Sequence, residues 1–512
     1  MLLLRSGSCP SRWRKVVSAA IVCGPMVLAA CTVGPDFAPP APPSGGYTRE
    51  SAPAAAIGGG GIAGTGQRFE PGRDIPGEWW KLFHSKTIDA LVAEAVAKHP
   101  DIAAGQAALR AARETALAAQ GSLLPQASFA GNQQRLGVSP AQSGLRGSGS
   151  VFDLSGTSVS ISYALDVFGG ERRKIEGLEA GADLQRLELE ATQLSLTANV
   201  VNTIISDASL RAQIAATNDI IRSETEQRDL LQRQFQLGAV AQTDVLLQDS
   251  NLAQAKAGLP ALEKQFAQNR NQLMAYLGRL PSEDRGEHVT LDELKLPGRL
   301  PLSLPSALVR QRPDVAAAEA TLHQSNAQIG VATANMLPKV NLSASWGSQA
   351  LSPAELFGAH TAAWSLASSV GQPIFQGGAL LHDREAAIAR RDEAAARYRS
   401  TVIRAFQNVA DALRAIQADA KALVAQTEAE TAAARSLDIA RSQYKAGGTT
   451  WTTVLTADQA YQNTRIARVK AQAQRFADTT ALMQALGGGW WNRVDETREA
   501  EPRPLGEALG GN

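Results

Sequence analysis

The chain repeats itself, and this duplication limits its possible folds more than any other feature of the sequence. Residues His99–Ala104 match Arg312–Ala317 at an offset of 213 residues. Further along, Phe235–Gly238 matches Tyr444–Gly447 at an offset of 209 residues. Chance similarity between alanine-rich helices would not keep proline and glycine positions in a constant order. The sequence therefore predicts two structural repeats.

Each repeat contains a very long stretch that predicts a helix. Residues 171–237 contain no proline, and residues 380–446 form the comparable stretch of the second copy. At a rise of ~1.5 Å per residue, such a helix spans about 100 Å, far more than a globular helix. In the second stretch, apolar residues recur at alternating spacings of four and three, which is typical of a coiled-coil seam. These residues are Val402, Phe406, Val409, Leu413, Ile416, Ala420 and Leu423.

Glycine turns follow both long stretches and predict antiparallel helical hairpins. Gly238 ends the first stretch and Gly447-Gly448 the second, and return helices are expected from about Thr243 and Trp451. Glycine suits such turns because it adopts positive φ without steric cost. Pro260 lies inside the first return helix, where it removes one backbone hydrogen bond. We expect a local bend there, with a functional hinge as the alternative.

Segments with the alternation of β-strands precede each long helix. The first strand of repeat 1, Gln126 to about Leu136, has the weakest pattern. Strands of roughly ten residues suit either a soluble sheet with one wet face or a tilted membrane-spanning sheet. Four strands cannot close a barrel in lipid, so a membrane location would require oligomerisation, and three copies would give twelve strands. The alternating apolar residues are Val159, Ile161, Tyr163, Leu165, Val167, Val340, Leu342, Ala344, Trp346, Trp364, Leu366, Val370 and Ile374.

The N-terminus has the pattern of a bacterial export signal. Basic residues precede an apolar run, Val16–Ala30, that is too short to span a bilayer comfortably. Its end, Leu28–Cys31, resembles the bacterial lipobox, in which the cysteine is lipidated and becomes the new N-terminus. An ordinary signal peptide that contains a cysteine is the alternative. Because the other cysteines, Cys9 and Cys23, precede Cys31, the mature chain is expected to form no disulfide.

Composition and the repeats divide the rest of the chain. Residues 36–76 are rich in proline, glycine and alanine, including Gly58–Gly61, and predict a tether with little structure. A phosphate-binding loop is excluded because no Gly-Lys-Ser/Thr follows. The predicted divisions are a signal peptide (1–30), a lipidated flexible tether (31–76), repeat 1 (77–280), an inter-repeat segment (281–305), repeat 2 (306–487) and a C-terminal tail (488–512).

Charge and motif content argue against nucleic-acid binding and catalysis. Lysine and arginine number 50 against 49 acidic residues, and no basic stripe with aromatics stands out. The 6 histidines show no metal-ligand spacing. Neither a nucleophilic serine motif nor a paired-carboxylate frame is present, and the one mature cysteine is at the N-terminus. We expect no enzyme activity, no metal and no cofactor.

Four motifs, on a duplicated helix, β-hairpin and helical-hairpin plan, resemble the outer-membrane factors of tripartite efflux pumps, the TolC-like, NodT-type lipoproteins. The resemblance covers the chain from about Glu78 to Gly487. One such motif alone would be weak support, whereas four in the family's order are specific. The motifs are Glu78–Phe83, Leu165–Gly170, Arg312–Pro338 and Pro373–Gly378.

The resemblance implies a mainly α fold with a small transmembrane β part. In this family a homotrimer forms a 12-stranded outer-membrane β-barrel that continues into a long periplasmic α-helical barrel, with an equatorial belt, here Pro281–Pro305 and the region near Gly487. The implied function is passive export of small molecules or drugs, powered by an inner-membrane RND-type transporter and linked by a periplasmic adaptor. The implied location is the outer membrane, with covalent lipid on Cys31. Channels for type I protein secretion and a non-conducting periplasmic coiled-coil scaffold remain alternatives.

The family's adaptor contacts lie at the tips of the helical hairpins. Glycine at the tips also has the simpler role of permitting positive φ in a tight turn. By resemblance the contact residues are Leu237, Gly238, Ala239 and Val240 in repeat 1, and Ala446, Gly447, Gly448 and Thr449 in repeat 2.

The family's tunnel is narrowed by rings of charged or polar side chains just past the second tip. The common pattern has aspartate directly after Val-Leu, whereas Val454-Leu455 is followed by Thr456, Ala457 and Asp458. This displacement by two positions exceeds half a helical turn and changes the side-chain direction. Asp249 occupies the matching place in repeat 1. Asp249, Asp458 and Thr456 are therefore candidates for the constriction, with a solvated outer face as the alternative.

Overall fold

A computed structural model describes residues 32–43, 45–48, 55–56, 66–140 and 148–493. The predicted signal peptide, Cys31 and the last part of the predicted tail lie outside the described residues. The chain divides into two compact units, each of which takes segments from both repeats. The sheet unit comprises Met1–Pro39, Arg110–Leu184 and Glu319–Arg397; the hairpin unit comprises Pro40–Leu109, Gln185–Ala318 and Tyr398–Asn512.

The order of helices and strands follows the duplication. In chain order the elements are β1 (Ala55–Ala56), β2 (Gln67–Pro71), α1 (Lys86–Lys98), α2 (Pro100–Gln120), β3 (Gln126–Val138), β4 (Ser150–Leu165), α3 (Gly170–Gln236), α4 (Gln242–Tyr276), β5 (Arg299–Leu302), α5 (Pro305–Gln311), α6 (Pro313–Ala334), β6 (Lys339–Ala350), β7 (Ala362–Gly371), α7 (Ala379–Lys445) and α8 (Trp451–Ala485).

The two repeats have the same plan, which confirms the predicted duplication. The order α2, β3, β4, α3, α4 recurs as α6, β6, β7, α7, α8. The long helices α3 and α7 both contain 67 residues, and the return helices α4 and α8 both contain 35. Each long helix begins within one residue of its predicted start. None of the helices in the described part of the chain combines the length and apolar character needed to cross a membrane.

The sheet unit contains one antiparallel sheet in the order β3-β4-β6-β7. Its register aligns Phe129, Val159, Trp346 and Trp364 in one row across the four strands. Serines occupy the positions between the apolar residues, and the hydroxyls of Ser345 and Ser365 are 2.8 Å apart. Successive residues of a strand point to opposite faces, so one face is apolar and the other carries serine. The predicted alternation is confirmed.

The ends of two predicted strands are wrong. The second predicted strand included Val167, but β4 ends at Leu165. The predicted fourth strand included Ile374, but β7 ends at Gly371 and Ile374 lies beyond it. Pro373 follows Gln372, and proline has no N–H to donate to a neighbouring strand. Strand pairing therefore stops before Ile374 even though the apolar alternation continues.

The long helices pack through the predicted seam in the hairpin unit. Val409, Leu413, Ile416 and Ala420 are buried within the apolar core, and Phe406 packs against it half-buried. The coiled-coil pattern of the second long helix therefore marks its buried face. Helix α4 runs through Pro260 without interruption. Pro260 is exposed, so water can satisfy the carbonyl that loses its partner in the preceding turn.

The predicted tether contains two folded segments, which corrects the expectation of little structure over residues 31–76. In the hairpin unit, β2 pairs in parallel with β5 and in antiparallel with β1. Gln67 is buried and donates from its side-chain amide to the Thr479 hydroxyl at 3.2 Å. Phe69 and Ile75 are buried in the core. These few apolar side chains are enough to fix the segment, although proline and glycine dominate its composition.

A second part of the predicted tether is bound in the sheet unit. The Val33 N–H donates to the carbonyl of Phe168 at 3.0 Å. The Arg173 guanidinium forms an ion pair with Asp36 at 2.6 Å, and Asn326 donates to the Pro35 carbonyl at 2.8 Å. We name residues 32–37 the clasped segment, because these contacts hold it from α3 and α6. The described residues closest to Cys31 are therefore fixed to the fold.

The predicted tail also begins with folded residues. Within the hairpin unit, Trp490 donates from its indole to the Gln311 carbonyl at 2.8 Å. Asn492 donates to the Asp74 carboxylate at 2.7 Å, and Arg493 forms an ion pair with Glu190. The folded region therefore extends at least to residue 493, past the predicted end of repeat 2 at 487.

Candidate functional site

Both hairpin tips are tight turns made by glycine. Gly238 and Gly447 have φ of +72° and +74°. In the first turn Gly238 N–H donates to Phe235 at 2.9 Å, and in the second Gly447 N–H donates to Tyr444 at 3.0 Å. A side chain at either glycine would meet no atom within 4 Å, so the backbone angle and not a close contact requires glycine.

The tips present two different surfaces. Leu237 is 83% exposed, and Ala239 beside it is exposed as well. At the second tip Ala446, Gly447 and Gly448 are exposed without any large apolar side chain. The predicted tip residues are exposed except Val240 and Thr449, which are half-buried. The first tip therefore exposes a large apolar side chain, whereas the second exposes small residues.

A small apolar core lies behind the tips and joins the two hairpins of the hairpin unit. Leu231 of α3 and Val245 of α4 pack with Leu437 of α7 and Val454 of α8. The rings of Tyr444 and Trp451 pack edge to face with centroids 5.1 Å apart. The Tyr444 hydroxyl donates to Gln234 of the first hairpin at 3.2 Å. The ends of the hairpins are therefore held together within one chain.

The three candidate constriction residues have different surroundings. The Asp249 side chain is 49% exposed and lies 3.9 Å from Arg228. Thr456 is exposed, and its hydroxyl donates to the Thr452 carbonyl at 2.9 Å. Asp458 is 3% exposed and accepts a hydrogen bond from Arg441 at 2.9 Å. The Asp249 and Thr456 side chains are therefore accessible on the single chain, whereas the Asp458 carboxylate is enclosed by partners within its own chain.

The apolar face of the β3-β4-β6-β7 sheet is open to its surroundings. Phe129, Trp346, Trp364 and Leu366 are all exposed. Contiguous apolar surface of this kind marks contact with lipid or with another protein. The outer strands β3 and β7 each pair on one side only, so both edges of the sheet carry unpaired backbone groups.

Comparison with known proteins decides the family. The model of the outer membrane efflux protein family matches residues 91–279 and again 304–488. The pyoverdine export outer membrane protein OpmQ of Pseudomonas putida is 30% identical over 424 residues, which cover 80% of this chain and 88% of OpmQ. The chain belongs to the outer membrane efflux protein family.

Further relatives of this efflux protein agree in sequence and fold. Nodulation protein T of Rhizobium leguminosarum bv. trifolii is 25% identical, over 92% of this chain and 96% of its own. The solved outer-membrane channel OprN superposes with a TM-score of 0.82 at 26% identity, covering 90% of this chain and all of that chain. The TolC-like fold, the location in the outer membrane with extension into the periplasm, and the role of efflux channel are thereby confirmed.

The efflux protein contains a polar cluster near the tips that the sequence did not reveal. It consists of Glu224 of α3, Gln248 of α4, Arg441 of α7, and Asp458 and Gln462 of α8; we name it the carboxyl cluster. Burial raises the pKa of the Glu224 carboxyl to about 7, and the neighbouring Asp458 adds to the shift. Only Asp458 was among the predicted residues. Its four partners come from all four hairpin helices, and no local pattern marks them.

Proposed function

We propose that three copies of this efflux protein form one channel, with their sheets joined edge to edge into a twelve-stranded barrel. The observation that carries the proposal is the two-faced sheet with unpaired backbone groups on β3 and β7. Unpaired N–H and C=O groups are too costly in lipid to remain open, and only closure of the sheet removes them. The apolar face would contact lipid and the serine face would line water. Conduction through such a tunnel is passive.

We further propose that the hairpin tips bind a periplasmic adaptor, which links the channel to an inner-membrane RND-type transporter. Leu237 supports this proposal, because an apolar side chain that is 83% exposed gains free energy when a partner covers it. Small residues around Gly447 let a partner backbone approach closely. The transporter supplies the energy, since nothing in a passive tunnel can drive export.

The proposed cargo is small molecules. OpmQ is named for pyoverdine export and another relative, TtgC of Pseudomonas putida, for toluene efflux, which favours small molecules over proteins. We assign the selection of cargo to the proposed transporter.

We also propose that Cys31 carries the lipid anchor. Thr32 packs against the turn that follows β4. The contact at Gly169 in this turn is so close that an added Cβ there would lie 2.3 Å from the Thr32 side chain. The clasped segment would therefore hold a lipid on Cys31 next to the end of the membrane-facing sheet. The lipid would insert beside the strands that enter the same membrane.

Single-channel conductance of the detergent-extracted protein in a planar bilayer tests the proposed channel. We expect trimers that dissociate on heating, and small cation-selective openings. Asp249→Asn should lower the ratio of cation to anion permeability, because it removes three exposed carboxylates from the assembled mouth. Monomers in every mild detergent, together with no conductance, would overturn the proposal. Unchanged selectivity in the variant would move the constriction away from Asp249.

A further inference from the structure

The carboxyl cluster joins the two hairpins of one chain near their tips. Glu224 and Gln248 belong to the first hairpin, and Arg441, Asp458 and Gln462 belong to the second. Glu224 is 2% exposed, Asp458 3% and Gln248 0%. Two acidic side chains from different hairpins are thus withdrawn from water at one place.

The two carboxyl groups share one amide. The Gln462 side-chain NH₂ donates to Glu224 Oε1 at 2.6 Å and also to Asp458 Oδ2. The Gln248 amide donates to the other oxygen of Glu224 and, at 3.0 Å, to its backbone carbonyl. Arg441 donates to Asp458 Oδ1 at 2.9 Å. The neutral amides hold the carboxyl groups close together but bring no positive charge.

The charges within the cluster do not balance. Two carboxyl groups face a single cation, Arg441, whose side chain is 38% exposed and therefore partly screened by water. A buried charge without a counter-charge is costly, and the group takes up a proton instead. With one proton on the pair, one negative charge remains to face Arg441. The cluster is therefore neutral only when it binds a proton.

The charged side chains near the carboxyl cluster form ion pairs with other residues. On α3, Asp219 pairs with Arg222 and with Arg465 of α8 at 2.9 Å. Also on α3, Arg228 lies 3.3 Å from Asp229 and 3.9 Å from Asp249 of α4. The charged side chain of α7 that contacts the two carboxyl groups is Arg441. The side chain of α4 that contacts them is Gln248, which is neutral. These neighbours leave the proton as the balancing charge.

We propose that Glu224 binds a proton beside Asp458 and thereby latches the first hairpin to the second, and that losing the proton loosens the mouth of the channel. When the proton leaves, two buried carboxylates repel each other across the hairpin boundary. The opening part of this proposal rests on the proposed channel function; the proton site and its effect on the hairpins do not. The latch is a binding site for a proton and requires no metal or other ligand.

The direction of the pH effect follows from the pKa of Glu224, which is raised to about 7. A carboxyl whose pKa is higher in the folded protein stabilises the fold while it is protonated. That stabilisation is complete below the ordinary pKa near 4.5 and is lost as the pH rises through about 7. The latch should therefore be closed in mildly acidic solution and weak in alkaline solution.

Conductance against pH tests the latch in the full-length, lipid-embedded trimer. Open probability of the wild-type channel should rise severalfold between pH 6 and pH 8.5, with a midpoint near 7. Glu224→Gln keeps the shape of the protonated side chain, and its open probability should stay low and lose this midpoint. Asp419→Asn is the matched control, because burial also raises the pKa of Asp419 to about 7 but its partner Asp478 lies in the same hairpin. The control should keep the wild-type midpoint.

A distance measurement separates failure of the latch from failure of the channel. The exposed Gln459 of α8 donates a hydrogen bond of 3.0 Å to the half-buried Asn251 of α4, across the two hairpins. Spin labels at these positions should move apart as the pH rises from 6 to 8.5, and should not do so when Glu224→Gln is added. Wild-type labels that stay together, or a change that persists in Glu224→Gln, would overturn the latch. A label movement without any change in open probability would keep the proton site and its effect on the hairpins and reject its role in opening the channel.

Discussion

Asp249 and Asp458 occupy matching positions in the two repeats, yet they have opposite surroundings. Asp249 is half exposed beside Arg228, whereas Asp458 is buried in the carboxyl cluster. The arginine side chains also differ in how deeply they are buried. Arg279 is buried between Glu94 and Glu287, where its guanidinium fixes the segment between the repeats to α1. At this scale the free energy of a charged side chain depends on how much water its partners leave around it.

Arg279→Met should lower the free energy of unfolding by roughly 2–4 kcal/mol, because it leaves two carboxylates without their buried partner. The hydrogen bond from Arg279 lowers the pKa of Glu94 to about 2. In the wild type this interaction is present above about pH 4.5 and is lost as the pH falls towards 2. The variant should lose less stability over that acidic range.

Lys98→Met provides the control for Arg279→Met. Lys98 contacts the same carboxylate, Glu94, but its side chain is 59% exposed. An exposed ion pair contributes little, so we expect a change below about 1 kcal/mol. Denaturant titrations at pH 2, 3, 4.5 and 7 measure both variants. Equal losses in the two variants would show that burial of Arg279 is unimportant.

The helices and strands show how far local pattern determines structure. The long helices α3 and α7 begin within one residue of their predicted starts, and strands β4 and β6 contain most of the predicted alternating residues. A periodic pattern of apolar residues that recurs along a whole element indicates both the type of element and its buried face. The pairing of β2 with β5 was missed. These strands are short, parallel and more than two hundred residues apart, and such pairing leaves no local periodicity. The carboxyl cluster was missed for the same reason, since Glu224 meets Asp458 only after both hairpins have folded.

Pro260 of α4 and the matching Val469 of α8 provide a test at the scale of one helix. Pro260→Ala should stabilise α4 locally by about 1–3 kcal/mol, because it restores a backbone hydrogen bond at an exposed position. Val469→Pro should destabilise the hairpin unit by more than about 3 kcal/mol, because Val469 is buried in the core. Hydrogen exchange of the two helices measures both. Conductance that is unchanged in Pro260→Ala would reject the alternative that Pro260 is a functional hinge.

At the scale of the whole molecule, the main feature of the β3-β4-β6-β7 sheet is that one face is apolar and the other carries serine. One strand carries both kinds of residue side by side, as Ser345 and Trp346 of β6 show. Hydrophobic burial alone does not explain a sheet that leaves Trp346 and Trp364 exposed on each chain. The proposed contact with lipid would explain this exposure, and the family and its solved relatives place the protein in the outer membrane.

Trp346→Lys and Ser345→Lys compare the two faces directly. A lysine on the lipid face costs about 2–4 kcal/mol near the middle of a bilayer, whereas one on the water face is tolerated. We therefore expect Trp346→Lys to reduce the heat-labile trimer in the outer-membrane fraction severalfold. Ser345→Lys should assemble normally and shift ion selectivity towards anions. Normal assembly of both variants would contradict the assignment of the apolar face to lipid.

The carboxyl cluster has an evolutionary consequence, because four of its five members have no equivalent in the other half of the chain. At the offset of 209 residues, Asp458 corresponds to another aspartate, whereas each of the other four members corresponds to a different residue in the sister repeat. A gene duplication that placed two copies in one polypeptide would have freed each copy to change alone. Because the two halves now differ at four of the five positions, the proposed proton site occurs once in each chain, and the proposed trimer would carry three such sites among its six repeats. The counterparts are Ala433 for Glu224, Ala457 for Gln248, Gln232 for Arg441, Asp249 for Asp458 and Ala253 for Gln462.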